Sequence, residues 1–482
     1  DCAVLEGGGQ IIRNALALGI ITHRPTLLCN IRHGRPVPGL SKQHLEVVNL
    51  LKDLSGASVS GAYIRSTSLN FVPIGYLPPA STLDRNVGSA GAVSLVLQSC
   101  LPVILSQCMV DKSICGSSDK HVMPVEVNIS FVGGTNVPFS PPLDHLSAVL
   151  FPILAAMGYN PSVQIVKRGF YPVGGGRVQL SVRPCGDIQP LILTHQSPVV
   201  SAHGFIYGVG TYFSEELKFL FASRLNFALE SFLTARGLSS ALNHIRDTPI
   251  FPLSCDIARA ETASSHEHSG SGGHVAGTEK GSKGGRGEKG KSRITHSSFG
   301  VQLCLIREDG IPLSANVLYE GKRADFMNVD VAVAELIAQL AWVYDSGACV
   351  DEHTADQLII YMALYAAMHG DKGVGVSQIL CAPRIEKNVS DDIEHLQQSS
   401  YTSLITKAEI ISNLVVETAE ISASPSTGVV VLHKSSLHIE AAIHIAQLFL
   451  PCTFTIEEVE ENGSDSVNRH KCRLITCYPL TS

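Results

Sequence analysis

Gln43-His44-Leu45, closing at Ser55-Gly56-Ala57, and Asp144-His145-Leu146, closing at Met157-Gly158-Tyr159, are the two stretches whose comparison decides the fold. Each opens a helical apolar period with a histidine and ends it at a glycine, after which β-forming residues follow. A period that stops at glycine and restarts as a strand is a unit in its own right. Its appearance twice in one chain implies a building block used more than once.

The surroundings of the two copies agree. Before the first, Gly7 to Ile21 reads as a glycine-rich turn opening an apolar helix, and Thr26–Ile31 as a strand. Gln43–Leu54 is then the amphipathic helix, and Ala57–Val72 holds two short strands. Before the second, Gly88-Ser89-Ala90-Gly91 opens the helix Val93–Leu105, and Val125–Val132 is a strand. Asp144–Met157 follows as a helix, with Val163–Lys167 and Gly176–Val182 as closing strands. A third copy is argued at Val331–Tyr344, followed by Gly347, and a fourth at Ile439–Leu450 with the strand Cys452–Glu457. The period is longer than that of a solenoid, so a few lobes around a centre are expected.

Between about Cys185 and Asn316 the rhythm changes to a strand (Phe205–Tyr212), a long helix (Ser214–Arg236) and a strand (Phe299–Arg307), which predicts a separate small α/β domain. The expected organisation is therefore residues 1–186 with two repeats, 187–317 as the inserted domain, and 318–482 with the remaining repeats. Within the insert, 264–293 is a basic Gly/Ser/Lys loop without apolar period and is expected to be disordered. A second, polar expansion covers about 382–427.

Composition narrows the class. The 482 residues are 45% hydrophobic and 16% charged, enough for a large core. A net charge of −7 excludes a global basic field, so any nucleic-acid partner must meet a local patch. Thirteen cysteines lie scattered in apolar segments without a C-x-x-C pair, which predicts reduced thiols and an intracellular setting. No apolar run is long enough for a bilayer, and no secretory leader is expected. The chain begins at Asp1 without a methionine, so a few residues are expected ahead of it.

Several segments carry chemistry. In Gly347-Ala348-Cys349-Val350-Asp351-Glu352-His353-Thr354-Ala355-Asp356-Gln357-Leu358, carboxylates flank a histidine at the mouth of the apolar run Leu358 to Leu364. Asp351 or Thr354 caps the predicted helix and leaves His353 in its first turn. Backbone N–H groups there disfavour an imidazolium and favour the neutral, nucleophilic ring. Such a histidine is either a nucleophile or a surface residue beside a cap. Glu6-Gly7-Gly8-Gly9-Gln10-Ile11-Ile12-Arg13 places three glycines before a helix, where a backbone can approach an anion, with Glu6 as a hard oxygen ligand at its edge. Arg32-His33-Gly34-Arg35-Pro36-Val37-Pro38-Gly39-Leu40, followed by Gln43, sets two guanidiniums on a rigid loop suited to phosphate. Gly133-Gly134-Thr135-Asn136 and Gly169-Phe170-Tyr171-Pro172-Val173-Gly174-Gly175-Gly176 are two further loops after strands, the latter with the composition of a tight turn.

These motifs in this order, EGGGQIIR, RHGRPVPGLSKQH, GSAGAVSLVLQ, GGTNVPFSPP, RGFYPVGGG and VDEHTADQL, resemble the RNA 3′-terminal phosphate cyclase family. The resemblance covers most of 1–186 and about 318–365, and returns near Ser436-Leu437-His438-Ile439-Glu440. It implies an α/β (α+β) fold of repeated βαβαββ units, related to enolpyruvyl transferases, with a small inserted α/β domain. It implies ATP-dependent conversion of an RNA 3′-phosphate end to a 2′,3′-cyclic phosphodiester, with Mg2+ or Mn2+, in the nucleus or cytoplasm. His353 then matches the nucleophile that takes AMP, and Glu6 a metal contact. Gln98, Pro141, Met327, Asp330, Val331, Gln10 and Arg13 match ATP-site positions, with Pro141 against the adenine, and Arg32, Arg35 and Gln43 match positions around RNA and phosphate.

The chain departs from the pattern at Cys2, where a glycine is usual, and at Val37, where a lysine is common. A second class is a non-catalytic cyclase-like factor of ribosome assembly, which shares the fold and lacks the histidine; the intact VDEH segment argues against it. A third, the enolpyruvyl transferases, shares the repeat but not this order of motifs. The oligomeric state is not readable from the residues.

Overall fold

Three of the four sheets repeat one strand order in a computed structural model of the chain, which describes residues 8–75, 83–88, 90–107, 126–209, 214–247, 257–258, 297–321, 328–369, 376–382, 437–460 and 471–480. In the first, β1 (Thr26–Leu28), β2 (Ser58–Ser60) and β3 (Leu69–Val72) lie in the order β1-β3-β2, all antiparallel. In the second, β4 (Leu83–Asn86), β5 (Val127–Gly133), β6 (Pro161–Lys167) and β7 (Gly176–Val182) lie in the order β4-β5-β7-β6. Here β4 runs parallel to β5 and the other pairs are antiparallel. The sheet of β8 (Ile192–Leu193), β13 (Ser377–Cys381), β14 (Cys452–Glu460) and β15 (Lys471–Pro479) has the same arrangement, β8-β13-β15-β14, with only β8 and β13 parallel.

Each of these sheets carries two helices. They are α1 (Gly9–Ile21) and α2 (Lys42–Ser55) in the first unit, and α9 (Glu352–His369) and α10 (Leu437–Phe449) in the last. In the second unit they are α3 (Val93–Gln107) and a helical run made of α4 (Leu143–His145), a π-helical turn over Leu146–Leu150, and α5 (Phe151–Ala156). The second helices are one-sided, and two of them close on a left-handed glycine: Gly56 at φ 60° and Gly158 at φ 98°. A residue with a Cβ is strained there, which explains the glycine that ends each period.

The first helices are apolar nearly all round. Ile11, Ile12, Leu16, Leu18, Ile20 and Ile21 of α1 are buried, as are Val96, Leu97, Leu101 and Ile104 of α3 and Leu358, Ile359, Met362 and Leu364 of α9. A helix without a polar stripe can only lie inside. Accordingly α1 packs on α3 and α10, and α10 on α9, forming a helical centre with the sheets outside it. Alternation along β7, inward Val178, Leu180 and Val182 against outward Arg177 and Gln179, leaves one face of that sheet to solvent.

The fourth sheet, β10 (Ile257–Ala258), β9 (Val199–Val209), β11 (Ser297–Arg307) and β12 (Pro312–Gly321), has a different order, β10-β9-β11-β12. Helices α6 (Glu215–Ala235) and α7 (Ser239–Asp247) belong to it, and α8 (Val329–Asp345) packs on α6 and β12. The period over Val331–Tyr344 thus covers this sheet, and the unit that repeats the order of the others is α9–β13–α10–β14–β15. A helical period ending at glycine says where a helix stops, not which sheet it covers.

Other differences have local causes. The strand expected over Thr26–Ile31 stops at Leu28 because Asn30 and Arg32 adopt φ of 57° and 53°. The strand expected from Phe205 begins at Val199, and residues 210–213 lie outside the described residues. Residues 264–293, and 383–427 of the polar expansion, also lie outside them. Cys100, Cys304, Cys381, Cys452 and Cys477 are buried thiols. Among the described residues no helix is long and apolar enough to cross a membrane.

One buried ion pair joins the second unit to the fourth sheet. Arg168 donates to both oxygens of Asp144 at 2.8 Å, and Asn136 donates to Asp144 at 3.1 Å. The guanidinium also lies 4.5 Å from the centre of the Tyr207 ring on β9. The fork geometry suits arginine and no other cation. Arg168→Met should lower the unfolding free energy by about 3–5 kcal/mol, because Asp144 is left buried without its counter-charge. Denaturant unfolding measures it; a loss below about 1 kcal/mol, the range of an exposed pair, would show that the pair is not desolvated.

Candidate functional site

The starts of the unit helices meet, and named contacts tie them together. Gln10 of α1 bonds His438 of α10 at 2.8 Å through its side-chain oxygen. Gln43 of α2 accepts the N–H of Ala92, just before α3, at 3.4 Å. His145 of α4 lies 3.4 Å from the Thr354 hydroxyl of α9. A helix start leaves backbone N–H groups without intrahelical partners and carries partial positive charge. Helices α1, α2 and α3 have no acidic residue in their first turns to offset it.

Arginines add to that field. A Cβ on Gly9 would fall 2.5 Å from Nε2 of His44 and 3.1 Å from Nη1 of Arg13, so the missing side chain at Gly9 is what lets both approach the start of α1. The His44 ring is pushed down to about 3, by burial first and then by the charges of Arg13 and Arg32. Arg13 is lowered to about 10 by burial, with Asp356 opposing the shift. Arg32 is also lowered, by its surroundings and by Arg35. Arg13, Arg32 and Arg35 therefore form one cationic cluster around a neutral His44, in a chain of net charge −7. Ser41 fixes the tautomer of His44. Its N–H donates to Nδ1 at 3.2 Å, which leaves the ring proton on Nε2, facing Gly9.

His353 stands exposed in the first turn of α9, the second residue of the helix. Asp351 is the cap: its Oδ1 accepts the N–H groups of His353 and Thr354, both at 2.9 Å. One turn on, Asp356 is held well above the usual carboxylate range by burial, with Arg13 as the opposing influence and Asp351 and Glu352 adding to the rise. Asp356 and Arg13 are the electrical link between the histidine segment and the arginine cluster.

The expected site residues fall into groups. Gln10, Arg13, Arg32, Arg35 and Gln43 come together at the starts of α1 and α2. Pro141 is half-buried in the loop leading into α4, four residues before His145, and Gln98 is half-buried on α3. Asp330 and Val331 sit at the start of α8: Asp330 pairs with Arg224 of α6 at 3.8 Å, and Val331 donates its N–H to Asn328. Glu6 and Met327 lie outside the described residues.

The motif reading passed over three histidines, His44, His145 and His438, as site residues, although each stands in the first turn of a unit's second helix. Their signal was the repeat itself, which placed His44 and His145 in register without saying what they touch.

The chain was compared with known proteins. A family model described as RNA 3'-terminal phosphate cyclase matches residues 4–456. Proteins named RNA 3'-terminal phosphate cyclase are similar to it. One from Caldivirga maquilingensis is 33% identical over 76% of this chain and 84% of its own. One from Drosophila melanogaster is 29% identical over 76% of this chain and 82% of its own. One from Pyrococcus abyssi is 38% identical over 41% of this chain and 53% of its own.

The state of His44 is open to test. Its folded value, about 3, lies below its ordinary 6.5, so between these values the unfolded chain binds the proton and the folded chain does not. Stability from this group is full above about pH 6.5 and falls as the pH drops toward about 3. His44→Gln keeps a capping side chain at that position and removes the titration. The variant's unfolding free energy should fall less steeply with acid, by up to about 1.4 kcal/mol per pH unit. Parallel curves for parent and variant would show that His44 protonates normally in the folded chain.

Proposed function

The chain belongs to the RNA 3′-terminal phosphate cyclase family, and from that premise we propose that it converts an RNA 3′-phosphate end to a 2′,3′-cyclic phosphodiester at the expense of ATP, through an AMP adduct on His353. The observation that carries the reading is the placement of His353. It is solvent-facing on a capped helix start, and one turn away Asp356 couples to Arg13 of the cationic cluster. A nucleophile needs access, and a triphosphate needs concentrated positive charge close by.

In the proposed sequence a ring nitrogen of His353 bonds to the α-phosphorus of ATP, and the α–β phosphoanhydride bond breaks to release pyrophosphate. An oxygen of the RNA 3′-phosphate then attacks the same phosphorus, breaking the P–N bond and leaving the RNA end as an adenylate. The neighbouring ribose 2′-oxygen finally attacks the 3′-phosphorus and expels AMP, giving its proton to solvent. Each step has a good leaving group, which direct dehydration lacks. Arg13 and the N–H groups at the start of α1 neutralise the charge that develops on the phosphates of ATP, and Arg32 and Arg35 that of the RNA 3′-phosphate.

Mg2+ or Mn2+ completes the proposal, with Glu6 as its ligand. No group of three metal-ligating side chains forms among the described residues. A hard cation held by one carboxylate and the phosphates of ATP needs no such group. Held there, such an ion would offset the negative charge of the ATP phosphates. The architecture proposed with this function is three βαβαββ units of enolpyruvyl-transferase type with an inserted α/β domain, supported by the shared strand order of three sheets against the different order of the fourth.

His353→Ala should acquire no label from α-labelled ATP while keeping the circular dichroism of the parent, since an exposed first-turn side chain adds little to the core. Arg32→Ala and Arg35→Ala should still form the adduct without RNA. Each should weaken RNA binding roughly tenfold, since a charge-assisted hydrogen bond contributes about 1.5–3 kcal/mol. Each should also lower the slope of log affinity against log salt by roughly one. Label on His353→Ala would overturn the nucleophile. Normal RNA binding with no adduct would assign the arginines to ATP instead.

A further inference from the structure

Beneath the start of α9, a polar chain runs from the Pro141 loop to the histidine segment. His145 is buried in α4, which follows that loop, and its Nε2 lies 3.4 Å from Oγ1 of Thr354, itself fully buried. The Thr354 hydroxyl is 2.6 Å from Oδ2 of Asp351. The other oxygen of Asp351 accepts the N–H groups of His353 and Thr354. Proton accounting gives the chain one direction. A carboxylate only accepts, so the Thr354 hydroxyl donates to Asp351, and Oγ1 is left to accept from Nε2–H of His145. The neutral ring fits this arrangement, because burial lowers the pKa of His145. Among the described residues His145 Nδ1 makes no hydrogen bond and Thr354 is the one polar anchor of this ring.

We propose that His145 is a positioning residue for His353: through Thr354 and Asp351 it fixes the start of α9 against the loop carrying Pro141, and so holds the nucleophile at a set distance from the bound nucleotide. The proposal rests on the reading of His353 as the AMP acceptor, and goes beyond it by assigning work to groups that touch neither ATP nor RNA. Asp351 accepts two backbone N–H donors on Oδ1 and the Thr354 hydroxyl on Oδ2, and the His353 ring is not among these donors. Its work is to hold the backbone of residues 353 and 354, and the work of His145 is to hold the hydroxyl that holds Asp351. A nucleophile must be placed to a fraction of an ångström for in-line attack, and slack of about 1 Å can lower a rate a hundredfold. A weakened link of 3.4 Å in a chain of otherwise short bonds should cost less, about tenfold.

The test uses the full chain and single-turnover transfer of α-labelled ATP to His353 across ATP concentrations. His145→Phe keeps the ring and removes the donor; Thr354→Val keeps the shape and removes the hydroxyl. Each should slow labelling at saturating ATP about tenfold, with the half-saturating ATP concentration unchanged. The double variant should be no slower than the worse single one, because the two groups act in series. His145→Gln, which returns an N–H near the Nε2 position, and Thr354→Ser, which returns the hydroxyl, should label within about twofold of the parent, a distinction that packing alone would not make. The inference is overturned if the Phe and Val variants label at the parental rate, if their losses multiply, or if the Gln and Ser variants lose as much as they do. His353→Ala in the same assay separates the two claims. Label there removes the nucleophile itself. Its absence, with unchanged rates in the Phe and Val variants, removes only the positioning role.

Discussion

Backbone N–H groups left without partners where helices begin are the constraint on which the rest of this structure depends. Each unit buries its first helix in the common centre, so the starts of α1, α3 and α9 are largely shielded by their neighbours, with the His353 side chain exposed. There they must be satisfied by something other than bulk water. For α9 the partner is the Asp351 carboxylate, and for α3 it is the carbonyl of Gly134, which accepts from Val93. For α1 the described flanking residues are glycines, no side chain caps the helix, and the guanidinium of Arg13 stands beside Gly9. Positive dipole and positive side chains together make the start of α1 favourable to an anion.

The second helices answer the same constraint with histidine. His44, His145 and His438 stand in equivalent first turns, and each reaches the start of a first helix: His44 beside Gly9, His438 on Gln10, His145 on Thr354. A neutral imidazole supplies one donor and one acceptor without adding charge. That suits His44, set between arginines that already repel its protonation, and His145, in a buried setting that does so by desolvation. A lysine in place of His44 would add a cation to a cluster of them, and in place of His145 it would bury an ammonium where the ring is now neutral.

Much of the fold was legible because its signals are local. The glycines closing α2 and α5 mark left-handed turns, and the all-apolar first helices can only be interior. The sheet to which α8 belongs was not legible, since its apolar face would cover any sheet equally well. Nor were β12 and β15, whose residues mix polar and apolar without a clear alternation. Among site residues, His353 and the arginines announced themselves through flanking glycines, prolines and carboxylates. The link from His145 to Thr354 spans 209 positions, and no pattern within either segment reveals it. Asp330 and Val331 matched a motif by counting alone; they stand at the start of α8, where Asp330 pairs with Arg224, a contact that a count along the chain does not reveal.

The central claim is that the start of α1, with Arg13 and the exposed His353, receives the phosphates of ATP. A crystal structure of the chain with an ATP analogue that cannot release pyrophosphate tests it most directly. The account predicts the triphosphate against the backbone N–H groups at Gly9 and Gln10 and the guanidinium of Arg13, the α-phosphorus in line with a ring nitrogen of His353, and the base beside Pro141. A nucleotide bound elsewhere, on the β9–β11–β12 sheet for example, with the start of α1 facing only solvent, would contradict it.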